Sequence, residues 1–117
     1  MDYPGWMYDE ALVNTVKDLQ RDSRGEDSIL REAERLVHGP RQEAYGHPTE
    51  DFTRTGRMWG AILGIPDVPP EKVGLCMVAL KLSREVNQHN DENLIDGAGY
   101  LETVRLVHEA KEEKMDR

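Results

Sequence analysis

Apolar residues recur at helical spacing through most of this 117-residue chain, and no alternating strand pattern extends over more than a few residues. Gly39, Pro40 and Gly64 are placed to end helices, while Thr49 and Asp91 are suited to start them as N-caps. The predicted helices cover about residues 9–20, 28–38, 49–63, 71–87 and 91–107. The pattern therefore predicts an all-α fold, a small bundle of four to five helices.

The fourth predicted helix contains the stretch VGLCMVAL, which is apolar on nearly every face. Such a helix is expected to be central and buried. Cys76 lies in this stretch and is the only cysteine, which excludes an internal disulfide and predicts a buried structural thiol. The link NQHN to the fifth helix is short, so the two helices should form an antiparallel pair.

Charged and apolar residues divide the chain into three predicted parts. These are an N-terminal arm with a short helix (residues 1–28), a helical core domain (29–108) and a solvated charged tail (109–117). The arm helix has only a narrow apolar stripe, which more often docks on a core or on a second subunit than stands alone. This stripe is the reason to expect a homo-oligomer.

Acidic residues outnumber basic ones, 23 to 15, and give a formal net charge of −8. Such a chain should repel a phosphate backbone, so duplex nucleic acid is not an expected partner, whereas a pocket with a few converging cations could still hold one small phosphorylated ligand. No apolar run approaches the roughly 20 residues that span a bilayer, and the start lacks a basic and apolar leader pattern. We therefore expect a cytoplasmic protein without a membrane partner.

The segment GPRQEAYGHP, predicted as a loop, concentrates side chains suited to a nucleotide-like ligand. Arg41 offers a planar fork for phosphate, Tyr45 offers a stacking face, and His38 and His47 lie beside them. The alternative is an ordinary helix connector whose Arg and His side chains meet helix carboxylates.

Lys81 and Arg84 lie three residues apart near the end of the fourth predicted helix, and they could hold phosphates. The structural alternative is that they interact with the helix dipole and pair with Asp91 or Asp96 across the short turn.

The stretch DENLIDGAGY at the start of the fifth predicted helix places Glu92 and Asp96 on one helix face. Two such carboxylates could hold one Mg²⁺ together with a substrate phosphate. Tyr100 lies one turn beyond Asp96, and Gly97 and Gly99 should have a packing or ligand reason, because glycine inside a helix costs about 1 kcal/mol relative to alanine. Acidic residues at a helix N-terminus are also commonplace. The sequence shows no zinc-binding spacing, P-loop, GxSxG, GxGxxG or CxxC motif.

Residues 29–59 (ILREAERLVHGPRQEAYGHPTEDFTRTGRMW), with MVALKLSRE and DENLIDGAGY after them, resemble a group of small proteins encoded by tailed bacteriophages and prophages, especially those of actinobacteria. The resemblance spans residues 29–100 and includes G-x-R-x-x-x-Y-G. It implies a phage protein that acts in the infected host cell, and it implies no particular reaction.

A more distant likeness is to the MazG-like, all-α nucleoside triphosphate pyrophosphatases, which bind Mg²⁺ through acidic helix residues. NLID stands where that superfamily has an acidic ExxD motif, so Asp96 matches and Asn93 replaces an acid. KLSRE places Lys81, Arg84 and Glu85 where a second acidic cluster would be expected. The likeness implies nucleotide binding, with hydrolysis by a metal-activated water only where the metal site is complete.

Three hypotheses follow from these residues. In the first, the protein handles a nucleotide-like phosphorylated ligand and is a MazG-like pyrophosphohydrolase that uses Mg²⁺. In the second, it binds such a ligand without chemistry and sequesters a host signalling nucleotide. In the third, it is an interaction module for a host protein, and its motifs serve packing alone. The expected ligand-binding residues are Arg41, Tyr45, His47, Lys81, Arg84, Asp91, Asp96 and Tyr100, and the expected metal ligands are Glu92 and Asp96.

Overall fold

A computed structural model describes residues 28–116 of the chain, and every regular element in that range is helical. The helices are α1 (Ile29–Val37), α2 (Pro40–Tyr45), α3 (Pro48–Leu63), α4 (Pro70–Asn87) and α5 (Asp91–Met115). The prediction of an all-α bundle is confirmed for this range. The predicted arm helix lies outside the described residues.

Helices α4 and α5 form the centre of the fold as an antiparallel pair. Three contacts at successive levels show the register. Glu71 pairs with Lys111 at 2.6 Å, a Cβ at Gly74 would meet Val104, and Asn93 Nδ2 donates to Glu85 Oε1 at 3.2 Å. The predicted central position of α4 is confirmed. Helices α1 and α3 pack against this pair.

Burial along α4 is confined to its N-terminal half, where Val73 and Gly74 are buried. Cys76 is exposed, so the prediction of a buried structural thiol is wrong. The VGLCMVAL stretch is apolar all round, but the helices of residues 28–116 cover only one side of it. Leu75 and Leu82 on α4 are 48% and 56% exposed.

The core forms where α3, α4 and α5 meet. Phe52, Val73 and Val107 are buried there, with Trp59, Val68 and Tyr100 packed around them. Glycines let the α3–α4 connector lie directly on α3, since the Val68 amide donates to the Gly56 carbonyl at 3.1 Å. A Cβ at Gly56 would lie 1.9 Å from the Val68 carbonyl oxygen, so no other residue fits this approach.

The starts of two helices differ from the prediction by one or two residues. Helix α3 is capped by His47, whose Nδ1 accepts from the Thr49 amide at 3.1 Å, and Pro48 takes the first helical position. Helix α5 is capped by Asn90, whose Oδ1 accepts from the Glu92 amide at 2.9 Å. The predicted caps Thr49 and Asp91 are therefore wrong, because in each case an earlier side chain reaches the free amide.

The end of α5 and the predicted loop also differ from expectation. Helix α5 continues to Met115, through the charged residues predicted to form a tail, and these are largely exposed as a solvated segment should be. The segment predicted as a loop contains the six-residue helix α2, which Pro40 starts and Gly46, at φ 81°, ends. No helix in residues 28–116 is both long and apolar enough to cross a membrane.

Candidate functional site

A cavity of about 350 Å³ opens between α1, α2 and α5. Its walls are mostly apolar, and Arg41, Tyr45, Asp96 and Tyr100 supply the polar groups. The remaining lining residues are Ala33, Leu36, Val37, Pro40, Ala44, Ile95 and Gly99. Small-molecule sites typically have volumes of roughly 300–1,000 Å³, apolar walls and a few polar groups, so this cavity has the dimensions and lining of a ligand site.

Arg41 is the central side chain of this site. Its guanidinium carbon lies 5.1 Å from the ring centres of both Tyr45 and Tyr100, and 5.7 Å from that of Phe52. Its Nη2 donates to Asp51 Oδ2 at 3.3 Å. The three rings and one carboxylate therefore hold the guanidinium in place while leaving several of its five N–H donors uncommitted to Asp51.

A second cavity of about 230 Å³ lies on the α3–α4 side and shares Arg41, Tyr45 and Tyr100 with the first. Its other lining residues are Asp51, Phe52, Thr55, Val73 and Met77. The three shared side chains therefore form the wall between the two cavities.

Asp96 brings a second charged pair to the edge of the larger cavity. Its Oδ2 accepts from Lys81 Nζ at 2.9 Å, and the Lys81 side chain is only 16% exposed. The alternative considered for Lys81, a pair with Asp96, is therefore present in the structure. One turn away, a Cβ at Gly99 would lie 3.4 Å from Val37 Cγ2, so α1 packs directly on α5 there.

The sequence suggested a Mg²⁺ site at Glu92 and Asp96, on the part of α5 that faces the end of α4. Lys81 lies opposite Asp96, and Glu85 accepts from the Asn93 amide group. The Lys81 ammonium neutralises the Asp96 carboxylate, and Glu92 is exposed. No group of three or more His, Cys, Asp or Glu side chains in the described range could hold a metal ion. The residues in this arrangement do not fit a Mg²⁺ ion.

Several residues named from the sequence lie away from the cavity. Arg84 and Glu92 are exposed and do not line it. Asp91 pairs with His89 Nε2 at 3.2 Å in the α4–α5 turn. His47 caps α3, and His38 meets Glu102 of α5 at 2.7 Å. Of the eight expected ligand-binding residues, only Arg41, Tyr45, Asp96 and Tyr100 line the cavity, with Lys81 reaching it through Asp96.

Two contributors to the site were not named from the sequence as site residues. These are Asp51, in the first turn of α3, and Phe52, in the core, which both contact Arg41. The spacing of ten residues between Arg41 and Asp51 follows no helical period, because the bend between α2 and α3 brings them together. The one sequence feature that could have indicated this contact is that Asp51 follows closely after the segment that contains Arg41.

Comparison with known proteins places the chain in a family. A family described as a domain of unknown function (DUF6378) matches residues 28–108. The Gene 55 protein of Mycobacterium phage L5 is 33% identical over an alignment of 94 residues, which covers 77% of this chain and 60% of that protein. The Gene 55 protein of Mycobacterium phage D29 is 32% identical over 84 residues, or 71% of this chain and 55% of that protein.

The chain spans less than two thirds of the length of these two relatives. No solved structure matches it. The matched range begins at the N-cap of α1 and reaches far into α5, so it contains every residue that lines the two cavities. The chain therefore belongs to the DUF6378 family, and its relatives named here are bacteriophage proteins.

Proposed function

We propose that this protein binds a nucleotide-like ligand carrying a phosphate group, without hydrolysing it, in the cavity between α1, α2 and α5. The observation that carries the proposal is the position of Arg41, held at 5.1 Å from the rings of Tyr45 and Tyr100 in the wall of a cavity of about 350 Å³. A phosphate donor and two stacking surfaces thus meet at one cavity wall.

The apolar and aromatic part of the cavity supports binding of the base. Tyr45 is 55% exposed, so much of its surface is accessible to a ligand. Stacking of a base on an aromatic side chain contributes about 1–3 kcal/mol and tolerates any base, because every base has a π-face. Ile95 and Leu36 provide apolar walls beside it.

The charges at the site favour a ligand with few phosphate groups. Two cations, Arg41 and Lys81, are matched by two carboxylates, Asp51 and Asp96. A triphosphate would bring about four negative charges into a site that is neutral overall, whereas one phosphate can take the free donors of Arg41. We therefore favour a monophosphate or a cyclic nucleotide.

The pairing of Lys81 with Asp96 supports binding over hydrolysis. A MazG-like pyrophosphohydrolase would need carboxylates free to hold Mg²⁺, and here Asp96 is paired while Asn93 stands in place of an acid. A binder of this kind, made by a phage, would act in the cytoplasm of the infected cell by sequestering a host signalling nucleotide.

A thermal-shift screen of linear and cyclic nucleotides, with and without Mg²⁺, tests the proposal. We expect a metal-independent shift with at least one nucleotide, and chromatography after denaturation should return that nucleotide intact. A ligand that binds the native state and not the unfolded state raises the free energy of unfolding by RT ln(1 + [L]/Kd). The shift in melting temperature should therefore grow with ligand concentration.

Two variants and a control locate the site. Tyr45→Ala and Arg41→Ala should each weaken binding by at least about tenfold, which corresponds to roughly 1.4 kcal/mol. Arg57→Ala removes an α3 arginine that is 67% exposed and lies outside both cavities, and it should leave affinity unchanged. Turnover with Mg²⁺, lost in Asp96→Asn, would establish hydrolysis instead. No shift with any nucleotide would refute the proposal and favour a host-protein interaction module.

A further inference from the structure

The exposed apolar side chains are concentrated in one stretch of the chain. Twelve large hydrophobic side chains are exposed in residues 28–116, against six buried hydrophobic residues, and eight of the twelve lie between residues 58 and 86. These eight are Met58, Ile62, Leu63, Ile65, Leu75, Leu80, Leu82 and Val86. Where such side chains also line up on one helix face they indicate an interaction surface, whereas singly exposed apolar residues need no explanation.

Within this region α4 carries a regular seam. Leu75, Ala79, Leu82 and Val86 are all exposed and follow one another at spacings of four, three and four residues. This is the spacing of the apolar positions in a heptad, which places the four side chains in one line along the helix. Cys76 and Ser83, also exposed, add small side chains beside the line. The seam is thus shaped for packing against another helix.

We propose that the α4 seam binds the same seam of a second copy of this chain, with the two α4 helices antiparallel around a two-fold axis. This inference does not depend on the proposed ligand. In an isologous contact of this type the same surface patch of each copy meets its counterpart. The seam must therefore be complementary to itself.

The antiparallel register makes the seam complementary to itself. With the axis midway between Ala79 and Leu82, Leu75 faces Val86 of the second copy, and Ala79 faces Leu82. A small side chain then meets a large one on both sides of the axis, which fills space without a clash. The parallel arrangement would instead place Ala79 against Ala79 and leave a gap beside two facing leucines.

Charge favours the same arrangement. Lys72 continues the seam by one position toward the start of α4 and is exposed. In a parallel pair it would face Lys72 of the second copy. In the antiparallel pair it lies level with His89 of the second copy, in the α4–α5 turn, where the two carboxylates of Glu85 and Asp91 flank that one imidazole and leave the cluster net negative. The excess of negative charge opposite Lys72 at both ends of the seam therefore favours this register.

The oligomeric state of the full chain tests this inference by sedimentation velocity across a concentration series. We expect the unmodified protein to be a dimer at micromolar concentration. Leu82→Glu should weaken the dimer by at least roughly 30-fold, because it places a charge in the centre of the seam. Leu101→Glu is the matched control, since Leu101 on α5 is exposed to a similar degree, 53% against 56%, and lies outside the seam. It should leave the dimer intact.

The register has its own test. A mixture of Leu82→Glu chains with Ala79→Lys chains should recover a mixed dimer, because residue 79 faces residue 82 only in the antiparallel pair. Circular dichroism melts should show that the variants stay folded, as both changed positions are exposed in the single chain. A monomeric unmodified protein, including one in which residues 1–27 cover the seam, would overturn the inference. So would equal dimer loss in Leu82→Glu and Leu101→Glu, or no recovery in the mixture.

Discussion

Lys81 of α4 and Asp96 of α5 form an ion pair of 2.9 Å that joins the central helix pair to the wall of the larger cavity. The lysine is 16% exposed and the aspartate 36%, so the pair is partly shielded from water. Its strength should lie between that of surface pairs, which contribute little, and that of fully buried pairs, whose breakage is costly. The pair is therefore both a structural tie and a part of the candidate site.

Lys81→Ala should lower the free energy of unfolding by about 1–2 kcal/mol, because it leaves the Asp96 carboxylate without its partner in a partly buried position. Urea denaturation followed by circular dichroism measures the change. Arg84→Ala on the same helix is the control and should change stability by less than about 0.5 kcal/mol, because Arg84 is exposed. Equal losses of stability in the two variants would show that the Lys81–Asp96 pair stabilises the fold no more than an exposed charged residue does.

Two helix glycines should respond to alanine in opposite directions. At Gly56 the new Cβ would lie 1.9 Å from a backbone oxygen of Val68, so Gly56→Ala should destabilise the fold by about 3 kcal/mol or more. At Gly97 the nearest atom would be Lys81 Cβ at 4.0 Å, so Gly97→Ala should be neutral or should stabilise by up to about 1 kcal/mol. Thermal melts of the two variants give the sign of each effect, and a stable Gly56→Ala protein would contradict the described path of the α3–α4 connector.

Periodicity predicted the α3, α4 and α5 helices and their order because each has a long amphipathic or apolar run with clear stop residues. It could not predict how much of α4 is covered. Spacing identifies which residues are apolar, but burial depends on how many neighbouring helices exist to pack on them. Cys76 was predicted to be buried for that reason and is exposed. Helix α2 was missed because six residues are too few for a periodic signal.

Glu102 should make stability depend on pH in the acidic range. The Arg105 guanidinium, and then His38, hold the pKa of Glu102 at about 2, below the ordinary 4.5. A depressed folded-state pKa means that the stabilisation is complete above about pH 4.5 and is lost as pH falls toward 2. Glu102→Gln should therefore reduce stability at pH 6 and match the unmodified protein near pH 2.

Urea titrations at several pH values measure this difference. Glu109→Gln provides the control, since Glu109 contacts the same arginine at 3.0 Å but is 52% exposed and should contribute less. A gap between Glu102→Gln and the unmodified protein that stays constant from pH 6 to pH 2 would be inconsistent with an ionised Glu102 as the source.

His89 should titrate above its ordinary pKa of 6.5, because Glu85 accepts from its ring and Asp91 lies on its other side. A raised folded-state pKa gives a contribution that is fully present below about pH 6.5 and is lost as pH rises through the folded value. NMR titration of the histidine rings, assigned with His89→Asn, measures this pKa directly.

Glu85→Gln should bring the pKa of His89 back toward 6.5. Glu92→Gln, which changes an exposed carboxylate on the neighbouring helix, should have little effect. If the two variants lower the pKa of His89 equally, that pKa depends on the overall negative charge of the turn and not on the contact with Glu85.

For the candidate site, the sequence grouped Arg41 and Tyr45 because both lie in the Gly- and Pro-bounded segment predicted as a loop. In the structure that segment contains α2, where residues four apart share one helix face. The partners from α5, Asp96 and Tyr100, were named separately, but nothing in the sequence shows that α1 and α2 pack over them. The contact between Arg41 and Asp51 depends on the backbone turn at Gly46, whose φ of 81° sets the angle between α2 and α3. Such angles follow from packing and cannot be derived from a single sequence.

The short turn of residues 88–90 has a consequence for the order of folding. Helices α4 and α5 meet after closing a very small loop, so their pairing costs little chain entropy and should form early. Helix α1 must instead find α5 across more than sixty residues, as the pair His38 and Glu102 shows, and its own buried residues are only Ala33 and Val37. Among the described helices, we therefore expect α1 and α2 to assemble last and to open first in native-state fluctuations, so that a ligand bridging α2 and α5 would act mainly by slowing that opening.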